Sequence, residues 1–157
     1  MKQATCSQHI NAAPEQVWVV LSDVTRLPEW AYTEGRFPYP TEGKYGSEQT
    51  EGVGTIWIGV SADGQTATQK VTAWEAPNQL SYELQTSENA PMQMSQINHF
   101  KLTAQDEGTQ IEWIVDWEIS GGFWLSRWIA NFTTGGAFEE MMSGSLEKLQ
   151  QLLEDEV

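Results

Sequence analysis

Glu139 occupies the position in this chain that most invites chemistry. From Phe123 to about Asp155, apolar residues recur at helical spacing. Taking Trp128 as reference, Trp124, Phe132, Met142, Leu146, Leu149 and Leu153 fall within about a quarter of a turn to either side at ~100° per residue. On an unbroken helix Glu139 lies about 20° from Trp128, inside that stripe. A carboxylate there would be partly desolvated, its pKa raised, and could serve as a general acid or base. The alternative begins just upstream. Thr133-Thr134-Gly135-Gly136 contains two adjacent glycines, which cost a helix about 2 kcal/mol against alanine. A break there resets the phase and turns Glu139 and Glu140 to water. Gly135 falls on the inward side, where a missing side chain either allows close packing or leaves room for a ligand.

Other reactive groups are sparse. His9 and His99 are the only histidines; they fall on different strands, with no carboxylate at ligand spacing, so no metal centre is expected. Cys6 has His9 three positions away, on the opposite strand face, which does not make a nucleophile pair. No Ser-His-Asp signature is present, and Thr133-Thr134-Gly135-Gly136 lacks the lysine of a phosphate loop. No cofactor is expected.

These residues must be positioned by a mostly β chain. Gln3 to Ile10 reads as a first strand. Asn11 or a neighbour can cap a helix, Pro14 suits its first turn, and Val17, Trp18, Val20 and Leu21 give it an apolar side. Ser22 or Asp23 can cap a second, very short helix ending at Leu27-Pro28-Glu29-Trp30. Tyr32 to Gly46, rich in Gly, Pro and Tyr, reads as an edge strand with loops. Further strands follow at Gly52–Ser61, Thr66–Glu75, Gln79–Thr86, Met92–Ala104 and Thr109–Ser120, with a loop at Ser87–Pro91 and a turn at Asp106-Glu107-Gly108. In the last strand Ile111, Trp113, Val115, Trp117 and Ile119 share one face, and Glu112, Asp116 and Glu118 dominate the other. A sheet and a long amphipathic helix each need the other as burial partner. The expectation is one α+β domain, residues 1–157, with about seven antiparallel strands curved around the C-terminal helix.

Composition narrows the partners. The 22 acidic residues against 8 basic ones give a net charge of −14. That argues against nucleic acid and anionic membranes, which require basic patches. One cysteine gives no reason to expect an oxidising compartment. The polar opening Met1–Cys6 is unlike a signal peptide, and no apolar run approaches membrane length. A cytoplasmic protein without membrane insertion is expected.

Several stretches resemble the SRPBCC superfamily, which includes START lipid-transfer domains, birch-pollen allergens and polyketide cyclase/dehydrase proteins. Ile10-Asn11-Ala12-Ala13-Pro14-Glu15-Gln16-Val17-Trp18 is similar to its opening, with one extra residue before the proline. Val20–Asp23 leading to Leu27–Trp30 resembles its second helix and tryptophan. Glu51–Thr55 resembles its G-x-G-T strand, and Glu75–Leu80 its x-P-x-x-L hairpin. The resemblance spans the chain and implies a helix-grip fold with a cavity between sheet and helix.

Strand alternation would then aim Trp113, Val115, Trp117, Asn98, Phe100, Leu102, Leu80, Tyr82 and Leu84 inward, with Trp128 and Phe132 from the helix. Trp30 and Phe37 would stand near a mouth, and Gln96 and Asn98 could hydrogen-bond a ligand. The same residues could equally fill a solid core. The leading expectation is a binder of a small hydrophobic or aromatic molecule, lipid or polyketide-like. The alternatives are a polyketide cyclase/dehydratase-type enzyme using Tyr82, Asn98 or Glu139, and a protein-interaction module with a filled core and an exposed apolar patch.

Overall fold

Period-two patterning becomes seven strands: β1 Lys2–Ile10, β2 Pro40–Tyr45, β3 Ile56–Ser61, β4 Thr66–Glu75, β5 Gln79–Gln85, β6 Met92–Gln105 and β7 Gly108–Gly121. The computed structural model describes residues 1–85 and 92–156. The expected Ser87–Pro91 loop and Thr86 lie outside the described residues. The sheet order is β1-β7-β6-β5-β4-β3-β2, antiparallel throughout. Register carries the alternation across strands: Leu80 pairs with Phe100 and Tyr82 with Asn98, while Phe100 pairs with Trp113 and Asn98 with Val115. Their shared face is the buried one. The Tyr32–Gly46 stretch yields one edge strand, β2, as expected from its Gly and Pro content.

Helix α1, Pro14–Leu21, starts with proline at its first position. The cap position falls to Asn11's neighbour Ala13, which has no capping side chain; its N–H donates to the Gln16 side-chain oxygen at 2.9 Å. Asp23 caps a 3₁₀ turn, Val24–Arg26, by accepting from the Thr25 N–H at 3.0 Å. One turn of α2, Leu27–Trp30, then buries Trp30.

Helix α3 runs unbroken from Trp124 to Glu156 through both glycines. Its 33 residues make it ~50 Å long, whereas the nine of β1 reach only ~30 Å. Contacts along that strand fix the alignment. Lys2 Nζ donates to Asn131 O at 3.1 Å, Gln8 Nε2 to Gln150 Oε1 at 2.6 Å, and the Asn11 N–H to Glu154 Oε1 at 3.4 Å. The first turns of α3 therefore overhang the end of β1.

This geometry corrects the expectation for the helix. Trp124, Trp128 and Phe132 are 63, 62 and 78% exposed and face no cavity. Glu139 is exposed too, although the helix is continuous. The buried row is Thr134, Phe138, Met142 and Leu146, continuing to Leu149 and Leu153. Successive members of the first part are four apart, so the row winds around the helix at ~40° per step. Such inclined rows are what pack when a helix crosses its partner obliquely. A straight stripe mixes this row with the exposed one, which is offset from it by two residues.

Within α3 the close-packing glycine is Gly144 rather than Gly135. A Cβ at Gly144 would run into the Tyr32 ring, whereas one at Gly135 would make an ordinary 3.7 Å contact with Trp117.

Candidate functional site

Between the inner sheet face, α2 with the segment after it, and the middle of α3 lies a cavity of about 490 Å³. The size suits a small organic ligand. Its floor and the layer directly beneath it are aromatic because the alternation stacks rings across strands. Trp57 meets Tyr82 at 5.0 Å between centroids, Tyr82 meets Phe100 at 6.0 Å, and Phe100 meets Trp113 at 4.7 Å. Trp30 closes the row edge-on, 6.0 Å from Trp113. On the helix side Phe37 packs 4.8 Å from Phe138.

The rim is tied down by polar contacts that the helix register makes possible. The Tyr32 N–H donates to Ser145 Oγ at 3.0 Å, and Lys148 Nζ to the Ala31 carbonyl at 2.7 Å. Arg36 pairs with Glu140 at 3.3 Å, and Arg26 bridges Glu29 and Glu156. These clips hold the segment from α2 to β2 against α3.

Of the residues anticipated from sequence, Trp30, Phe37, Tyr82, Gln96, Asn98 and Trp113 line the cavity. Phe100 and Trp117 do not; they are buried beneath the wall, Trp117 lying 5.6 Å behind Phe138. Trp128, Phe132 and Glu139 stand outside, for the reason given above. Sequence reasoning missed Trp57, Met94, Phe138 and Met141, which also line it. Trp57 sits in a strand whose alternation is blurred by Gly54 and Gly59, and Phe138 declares itself only on the winding row of α3.

The wall has a definite polarity. Among the described residues Asp23 is the one charged group lining it, and neither lysine, arginine nor histidine does. Asp23 is already engaged, accepting from Thr25 and, at 3.4 Å, from the Tyr45 hydroxyl. Asn98 is 1% exposed, and its Oδ1 accepts from Trp113 Nε1 at 2.9 Å. That bond fixes the amide orientation and leaves Nδ2 unpartnered. Trp30 Nε1 and Trp57 Nε1 are likewise buried without an acceptor. Unpaired buried donors cost about 1–3 kcal/mol each. All three nitrogens are covered by neighbouring atoms, and the three side chains that carry them stand in the cavity wall. Burial pushes the Tyr82 phenol well above the usual tyrosine range, so at neutral pH it too is a donor.

One constellation outside the cavity invites a catalytic reading. On the opposite sheet face Ser81 Oγ lies 2.8 Å from His99 Nδ1, and His99 Nε2 lies 3.3 Å from Asp116 Oδ2. The three come from β5, β6 and β7 and meet only through the sheet register, so no sequence signature announces them. Ser81 is 2% exposed, which keeps its hydroxyl from a substrate. No residue of the three lines the cavity. The row is a cross-strand polar ladder.

Comparison with known proteins agrees with the fold. Similar solved structures include protein MLL2253 from Mesorhizobium loti (21% identity, 98% of each chain covered, TM-score 0.72). Another is XoxI from Bacillus cereus, with 19% identity, 99% of this chain and 97% of that one covered, and TM-score 0.71. A conserved protein from Geobacillus kaustophilus gives 18% identity, 98% and 96% coverage, and TM-score 0.73. No curated protein matches. Residues 1–154 match the family described as polyketide cyclase / dehydrase and lipid transport, and with that match over nearly its whole length the chain belongs to this family.

Proposed function

We propose that this protein binds an uncharged, largely apolar small molecule bearing hydrogen-bond-accepting oxygens, held between the aromatic sheet face and α3. The observation that carries the reading is the cavity wall. Flat rings from Trp30, Trp57, Tyr82 and Trp113 offer area to a planar or oily ligand, and the buried donors of Trp30, Trp57 and Asn98 have no protein acceptor. A ligand oxygen that reached such a donor would remove the cost of leaving it unpaired. With no cation among the described lining residues, a carboxylate or phosphate would enter uncompensated.

A cyclase or dehydratase activity is the second reading, favoured by the family description and by the Tyr82 hydroxyl in the wall. Such chemistry would rest on folding a reactive substrate against these rings, with Tyr82 and Asn98 as donors. The one carboxylate among the described lining residues, Asp23, is occupied by Thr25 and Tyr45, which weighs toward binding alone.

Native mass spectrometry of protein purified from cells tests the proposal, together with thermal-shift screening against neutral lipids and polyphenols. A co-purifying neutral species, or a stabilising hit carrying carbonyl or hydroxyl oxygens, is the expected result. No bound species and no shift across the library would overturn it, and stabilisation by fatty-acid anions alone would overturn the uncharged-ligand assignment.

A further inference from the structure

At the overhanging end of α3 six large apolar residues are exposed together: Phe123, Trp124, Leu125, Trp128, Ile129 and Phe132. The five within the helix span an arc of about 140° at the standard helical period, and the Trp128 and Phe132 rings stack at 5.9 Å. Isolated exposed hydrophobics are ordinary, but four aromatic rings at roughly two-thirds exposure offer on the order of 500 Å², a size that marks interaction surfaces.

Charge sets this end apart from the rest of the chain. From Ile119 to Phe138 there is no carboxylate and one cation, Arg127, in a protein that carries 22 acidic residues. Lys2, packed over Trp117 at 5.3 Å and bonded to Asn131 O, adds a second cation beside it. This stretch, free of carboxylates in its own sequence, can approach a surface while the charge elsewhere stays in water.

We propose that this helix end seats on a zwitterionic lipid bilayer, with the rings of Trp124, Trp128 and Phe132 in the headgroup region. Tryptophan suits that layer because it is apolar in bulk and carries one N–H for the polar side. A short helix with one apolar face lies in the interface plane in the same way. The area decides against a second copy of the chain. A stable dimer buries about 800 Å² a side from some 20–30 residues, more than one helix end supplies. The net charge of −14 opposes both self-association and an anionic bilayer. Phe138, which lines the cavity, follows Phe132 by six residues, ~9 Å along the axis, so a seated protein would hold its cavity close to the bilayer.

The test is flotation of the full chain with phosphatidylcholine vesicles, and quenching of tryptophan emission by brominated phosphatidylcholine. The wild type should float and be quenched. The double variant Trp128→Ser/Phe132→Ser, at positions too exposed to affect folding, should partition about tenfold more weakly or worse. Failure of the wild type to bind, equal binding by the variant, or a wild-type dimer in sedimentation that the variant dissolves would each overturn the assignment. Because neither residue lines the cavity, ligand-induced thermal shifts should be the same in both proteins.

Discussion

Replacing Gly144 by alanine sets two effects of opposite sign against each other. Helix propensity alone says the change stabilises α3 by about 1 kcal/mol, because glycine is the poorer helix former. Packing says otherwise. The new Cβ would meet Cδ1, Cγ and Cε1 of Tyr32, and even Cε1 would be only 2.6 Å away. Carbon atoms in contact sit at ~3.5–4.0 Å, so the whole ring must retreat by about 1 Å. It cannot do so freely. The Tyr32 N–H is held by Ser145 Oγ and the preceding carbonyl by Lys148, both from the same helix. Overpacking of this kind costs about 1–3 kcal/mol, more when the neighbour is anchored. Packing wins, and Gly144→Ala should be less stable by about 1–2 kcal/mol, a drop in Tm of ~3–8 °C for a chain of this size.

Urea denaturation checks this, with the midpoint falling and the slope unchanged. A double-mutant cycle sharpens it. In a Tyr32→Ala background the clash is gone, and Gly144→Ala should stabilise by up to about 1 kcal/mol. A Gly144→Ala single variant as stable as the wild type, or a cycle without coupling, would refute the packing argument.

Two further outcomes follow from the cavity wall. Tyr82→Phe should flatten the alkaline loss of stability. The folded pKa of Tyr82 is raised by burial, so its contribution is complete below the unfolded value of ~10 and lost as pH rises from there toward the folded value. Tyr45, raised by burial and by Asp23, will leave some slope in the variant; identical urea midpoints for wild type and Tyr82→Phe between about pH 9 and 11 would contradict this. Asn98→Leu should leave stability within about 1 kcal/mol, because orphaning Trp113 Nε1 is offset by removing the unpartnered Nδ2. Affinity for an oxygen-bearing ligand found by thermal shift should nevertheless fall roughly fivefold, and unchanged affinity by titration calorimetry would remove Asn98 from the binding wall.

Where alternation was strict, it was enough. Residues 111–119 and 98–102 could be assigned to a face from sequence because a period of two leaves only two choices, and burial tells them apart. Trp30 was legible through the resemblance of Leu27–Trp30 to a known superfamily, and Phe37 only through the cavity mouth that the resembling fold implies. The helix was less legible. Its existence follows from periodicity, but whether it runs on through Gly135-Gly136, and which face is buried at which turn, depends on how it packs and on where the strand beneath it ends.

By itself, then, the sequence determined the succession of strands and helices, the inward face of β5 to β7, and the acidic character of the chain. These are properties of local period and composition. Tertiary structure decided the rest. It joined β1 to β7, brought Ser81, His99 and Asp116 into one row, and placed Glu139 in water on an unbroken helix. It also left Trp124, Trp128 and Phe132 beyond the end of β1. Each of those outcomes depends on the relative lengths and angles of elements far apart in sequence, which no local pattern encodes. Glu139 shares its angular sector with Leu146, and only the place of each along α3 relative to the sheet separates the exposed carboxylate from the buried leucine.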